Sequence, residues 1–110
     1  MSRSDRELVD DALAHLAALK RHLERGDLDD ETVADAVSLR LAAAIEAVSH
    51  ASDGYRERTF GADWKFIWAT RNRIAHGYAY IDLTIIRDTV EQDLPEFEDK
   101  LRRSVRTTDG

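Results

Sequence analysis

Cysteine is absent from this 110-residue chain, so neither a disulfide framework nor a thiolate metal site is available to it. Proline occurs once and glycine five times. With so few breakers and so many Ala, Leu, Glu and Arg residues, the chain reads as all-α. No apolar run approaches the roughly 20 residues that a membrane helix needs. The opening stretch, "MSRSDRELVD", becomes charged too early to contain the apolar segment of a signal peptide. The expectation is a soluble, cytoplasmic protein with no membrane partner, folding as one domain over residues 1–110.

Positive charge is also scarce. The net charge of −6 excludes a protein that coats nucleic acid through a broad basic surface. The deficit is uneven, however. Residues 55–78 carry Arg56, Arg58, Lys65, Arg71 and Arg73 against only Glu57 and Asp63, and every other segment is acidic. Attraction of an anion into a cleft depends on local potential, so one basic segment can serve RNA in an acidic chain.

Hydrophobic periodicity predicts four helices. Ser4 with Glu7 forms a capping-box pattern before the stripe Leu8, Ala12, Leu13, Leu16, Leu19 and Leu23. Gly26 stands where a left-handed C-terminal cap belongs. Asp29 or Asp30 caps the second helix, whose apolar face is Val33, Ala36, Val37, Leu41, Ala44, Ile45 and Val48. Ser52-Asp53-Gly54 interrupts the pattern, and a loop is expected from there to about Gly61. Asp63 is the predicted cap of a third helix carrying Trp64, Ile67, Trp68, Arg71 and Ile74, which frays near Gly77. Asp82 is the predicted cap of a fourth, with a kink or break near Leu94 imposed by Pro95. The architecture expected is an antiparallel four-helix bundle.

The chemistry-bearing residues cluster in "RNRIAHGYAY", Arg71 to Tyr80. RNA carries its own nucleophile, the 2′-hydroxyl. A histidine near neutral pKa can move the protons, and an arginine can grip the phosphate bidentately as its charge grows. Arg71 and His76 are the candidates, with Asn72 and Arg73 as supporting, substrate-positioning residues. On a regular helix, however, Arg71 and His76 lie roughly 140° apart and about 7.5 Å along the axis. They can converge only if the helix unwinds before His76 or if a second copy completes the site. The bland alternative pairs Arg71 with an acid and leaves His76 capping carbonyls at a helix end. Asp11 with His15, and Glu46 with His50, share helix faces. Without a Glu-x-x-His pattern and further carboxylates they do not make a di-metal site. Trp64, Phe66, Ile67 and Trp68 read as bundle core or a dimer seam, and Arg102, Arg103 and Arg106 as a helix-end cluster.

The run "WKFIWATRNRIAHGYAYIDLTIIRDTVEQDLPEF" resembles the HepT-like branch of the HEPN superfamily. Its signature, Arg-x4-His-x-Tyr with Asn after the Arg, is matched by Arg71, Asn72, His76 and Tyr78. Trp64, Asp82, Asp93-Leu94-Pro95 and Glu46-Ala47 agree as well. The chain departs at Ile45, where the family often has Gly, and at Ala62-Asp63, where it often has Pro. The resemblance implies a metal-independent ribonuclease toxin of a type VII toxin–antitoxin pair, needing no cofactor and cutting tRNA or mRNA. It implies a homodimer with a composite cleft and catalytic Arg71 and His76. It also implies a nucleotidyltransferase antitoxin, MntA-like, that transfers AMP to Tyr78. Tyr80, two residues on, is a secondary acceptor candidate and reads more simply as a ring packed under the loop. A different class remains open: a non-catalytic helical module that docks a nucleotidyltransferase or binds nucleotide.

Overall fold

The computed structural model describes residues 3–76 and 83–109, and every statement below concerns those residues. They form an all-helical bundle. The elements are α1 (Arg3–Arg25), α2 (Glu31–Ser49), α3 (Asp53–Phe60), a 3₁₀ turn (Gly61–Asp63), α4 (Trp64–His76), α5 (Leu83–Asp88), a π-helical turn (Thr89–Asp93) and α6 (Leu94–Asp109).

Helices α1 and α2 make the most extensive pairing in the molecule. Their antiparallel register is marked by contacts at both ends and the middle. Asp5 meets Ser52, His15 meets Arg40, and Val33 lies beside Gly26. Asp30 caps α2 through its carboxylate, which accepts from the Thr32 and Val33 amides at 2.9 and 3.3 Å. Helix α4 packs on α2, and α6 packs on α1 and α3. Between them lies a continuous core that includes Val9, Leu16, Leu19, Val37, Leu41, Val48, Ile86 and Leu101. Each such side chain contributes roughly 1.5–3 kcal/mol by leaving water.

Four local expectations are corrected. Helix α1 already includes Arg3 and Ser4, so Ser4 sits within the first turn rather than capping it. Gly26 does not adopt a positive φ. That conformation belongs to Gly61, at φ 55°, which ends α3 and turns the chain toward α4. Gly26 is instead a close approach, since a Cβ there would lie 3.1 Å from the Val33 side chain. The expected loop of residues 54–61 is α3, a helix. Ser52 caps it by accepting from the Tyr55 amide at 3.2 Å, and the burial of Tyr55 and Phe60 holds it down. Asp63 lies in the 3₁₀ turn, with its carboxylate 3.2 Å from Lys100 on α6, so it ties two elements together. The Asp82 cap and the fraying at Gly77 lie outside the described residues.

The irregularity foreseen at Pro95 is a π-helical turn just before it. The Leu94 amide donates to the Thr89 carbonyl, five residues back. Pro95 has no N–H to give to residue 91 and its ring crowds that carbonyl. The wider turn accommodates both facts and lets the helix continue without a break. Among the described residues no helix is long and apolar enough to cross a membrane.

Candidate active site

Helix α4 carries the candidate site, and an aromatic ladder fixes its rotation. Phe60 stacks on Phe97 of α6 with centroids 5.4 Å apart and touches Trp64 at 5.8 Å. Trp64 stacks on Trp68 one turn later at 6.1 Å. Two arginines close the ladder. The Arg56 guanidinium lies 5.5 Å from the Trp64 ring, and that of Arg71 lies 4.8 Å from Trp68. Partly desolvated contacts of this kind contribute about 0.5–2 kcal/mol each. The i, i+4, i+7 spacing of Trp64, Trp68 and Arg71 puts all three on one helix stripe, which is why the sequence can build the ladder locally.

Arg71 is held from three sides. One terminal nitrogen donates to the Asn72 Oδ1 at 3.2 Å, the other pairs with the Glu46 carboxylate of α2 at 3.2 Å, and Trp68 covers a face. Its side chain is 20% exposed, and its Nε is buried without a hydrogen-bond partner. The guanidinium is therefore a fixed cation, with its terminal nitrogens facing Glu46 and Asn72.

Arg73 and His76 differ sharply from it. Both are exposed in the last turn of α4, with no hydrogen bond or ion pair to the described residues. Helix α4 runs through His76, so the route in which the chain unwinds before the histidine is not taken. Arg71 and His76 thus keep their helical separation and do not meet within one copy. Tyr78 and Tyr80 lie outside the described residues.

The alternative that pairs Arg71 with an acid is met, and Glu46 is that acid, a partner the sequence does not specify. Nothing local signals a pairing between two helices; only the register of α2 against α4 creates it. The Trp pair reads from sequence as bundle core or a dimer seam, and the support that Trp68 gives Arg71 is seen only in the structure. The cavity of about 240 Å³ lined by Leu41, Ile45, Ile67, Thr70 and Phe97 is a separate feature, since neither Arg71 nor His76 lines it. His15 accepts from Arg40 at 3.0 Å, and no cluster of three or more His, Asp or Glu suited to a metal ion occurs among the described residues.

The described residues form an all-α bundle that carries Arg71, Asn72 and His76 on α4. A family model described as Ribonuclease HepT-like matches residues 9–104, nearly the whole chain, and the chain belongs to that family. No solved structure matches it.

Proposed function

We propose that the chain is a metal-independent RNA endonuclease toxin of a type VII toxin–antitoxin pair. It acts as a homodimer and is silenced when an MntA-like nucleotidyltransferase adds AMP to Tyr78. The observation that carries this reading is the division of labour on α4. Arg71 is held as a fixed cation by Glu46, Asn72 and Trp68, while His76 stands exposed on another face of the same uninterrupted helix. A phosphate-binding group needs the first condition and a proton-transfer group the second. Their separation within one copy supports a cleft to which two copies contribute.

In that cleft Arg71 binds the scissile phosphate, Asn72 holds the guanidinium, and Arg73 steers the neighbouring backbone. The 2′-oxygen attacks phosphorus and the bond to the 5′-oxygen breaks. A two-fold cleft holds one His76 from each copy, so one removes the 2′-hydroxyl proton and the other protonates the leaving 5′-oxygen. The products are a cyclic phosphate, or the 3′-phosphate after hydrolysis, and a 5′-hydroxyl. Adenylylation forms a bond between the Tyr78 phenolic oxygen and the α-phosphorus of ATP and releases pyrophosphate. The added bulk and negative charge beside the cleft repel RNA.

One observation favours the second reading, a non-catalytic module that docks a nucleotidyltransferase or binds nucleotide. Arg71 already has an anionic partner in Glu46. Cleavage of end-labelled RNA, with tRNA and mRNA in the panel, by purified protein in EDTA separates the two. Wild type is expected to cut and His76→Ala to be inactive with unchanged helicity. Equal cutting by both would refute the role given to His76. No cutting by either, with intact mass showing an unmodified Tyr78, would favour the binding module.

A further inference from the structure

A guanidinium offers two edges on which an oxyanion can be gripped by paired N–H bonds: the side edge that includes Nε, and the end edge between the two terminal nitrogens. For Arg71 the side edge is closed, because Nε is buried without a partner. Trp68 covers a face of the plane. The terminal nitrogens remain, and the Glu46 carboxylate stands at 3.2 Å from one and the Asn72 amide oxygen at 3.2 Å from the other. Among the described residues Glu46 is thus the carboxylate that pairs with Arg71, and an incoming phosphate must compete with it.

We propose that Glu46 is a built-in competitor for the phosphate that Arg71 receives, so that RNA binds by displacing a carboxylate from the guanidinium. This rests on the reading of Arg71 as a phosphate-binding residue. The asymmetry of the pair suits such an exchange. The Glu46 side chain is 50% exposed and can swing into water, whereas Arg71 is 20% exposed and stays held by Asn72 and Trp68. In the empty state the carboxylate compensates a largely buried cation, which would otherwise be costly. In the bound state one anion has replaced another. The net gain from a single phosphate is then small, and a ligand bringing several phosphates is favoured over free phosphate. Glu46 acts through Arg71 and is a specificity-determining residue rather than a catalytic one.

The test measures binding of a short fluorescein-labelled 2′-O-methyl oligoribonucleotide, which lacks the attacking hydroxyl, at fixed salt. Glu46→Gln keeps the shape and removes the charge. It is expected to tighten binding about fivefold, the upper end for release of a half-exposed ion pair. Glu57→Gln, an exposed carboxylate in the same basic segment, measures the general effect of removing one negative charge. The gain at Glu46 should exceed it and should vanish in an Arg71→Ala background. Unchanged or weaker binding by Glu46→Gln, or a gain no larger than that of Glu57→Gln, overturns the proposal. The Arg71→Ala variant separates the two levels of inference. If it alone binds as tightly as wild type, the phosphate-binding role of Arg71 fails first, and the competition with it.

Discussion

Asp5 is the side chain whose removal most directly tests how α4 is positioned. It lies in the first turn of α1, is 4% exposed, and accepts two hydrogen bonds from Ser52: from the amide at 2.8 Å and from the hydroxyl at 2.8 Å. Donating its proton to Asp5 leaves the Ser52 oxygen free to accept from the Tyr55 amide, so one carboxylate sets the cap of α3. Helix α3 in turn delivers Phe60 to the aromatic ladder that orients Arg71. Hydrogen bonds to a charged group contribute about 1.5–3 kcal/mol each, and allowing for relaxation Asp5→Ala should cost about 3 kcal/mol. For a chain of this length the unfolding entropy is roughly 0.23 kcal/mol per kelvin, so the midpoint should fall by about 13 °C. Thermal unfolding followed by far-UV circular dichroism reads it out. Ser52→Ala should cost less, and the double variant less than the sum, because both remove the same contact. A drop under about 3 °C, or strict additivity, would show that Asp5 does not hold the α2–α3 corner.

Two further predictions concern pH. Burial alone would raise the Glu98 pKa, but hydrogen bonds from Lys20 at 2.5 Å and from Arg102 at 2.8 and 3.1 Å outweigh it and hold the carboxyl below its ordinary value. A depressed folded pKa means that this stabilisation is present above the unfolded pKa of about 4.3 and is lost as pH falls through the folded value. Urea unfolding across that range should therefore show an acid-side loss that Glu98→Gln lacks; a parallel loss in the variant would rule Glu98 out as the cause. Burial raises the Tyr55 pKa above 10.0, and the Ser104 hydroxyl at 2.8 Å offsets part of that effect. Its contribution is present below the unfolded pKa of about 10 and is lost as pH rises through the folded one. Tyr55→Phe should flatten this alkaline loss and cost about 1 kcal/mol at neutral pH through the lost hydrogen bond, both measurable by denaturant titration.

The boundary between what the chain reveals and what folding decides runs through α4. Composition, the stripes of α1 and α2 and the Asp30 cap determine an all-α bundle, because helix propensity, 3.6-residue periodicity and capping are local properties. The family is likewise legible, since a motif is a matter of order along the chain. Residues 54–61 read as loop from sequence for the complementary reason. A short helix opened by Ser-Asp-Gly has no strong stripe of its own, and it forms because Asp5, far away in sequence, orients its cap while Tyr55 and Phe60 find a core to enter. The pairing of Arg71 with Glu46 depends on how α4 is rotated against α2. That rotation is set by contacts among Phe60, Trp64, Trp68 and Phe97, and only the packed bundle brings those residues together.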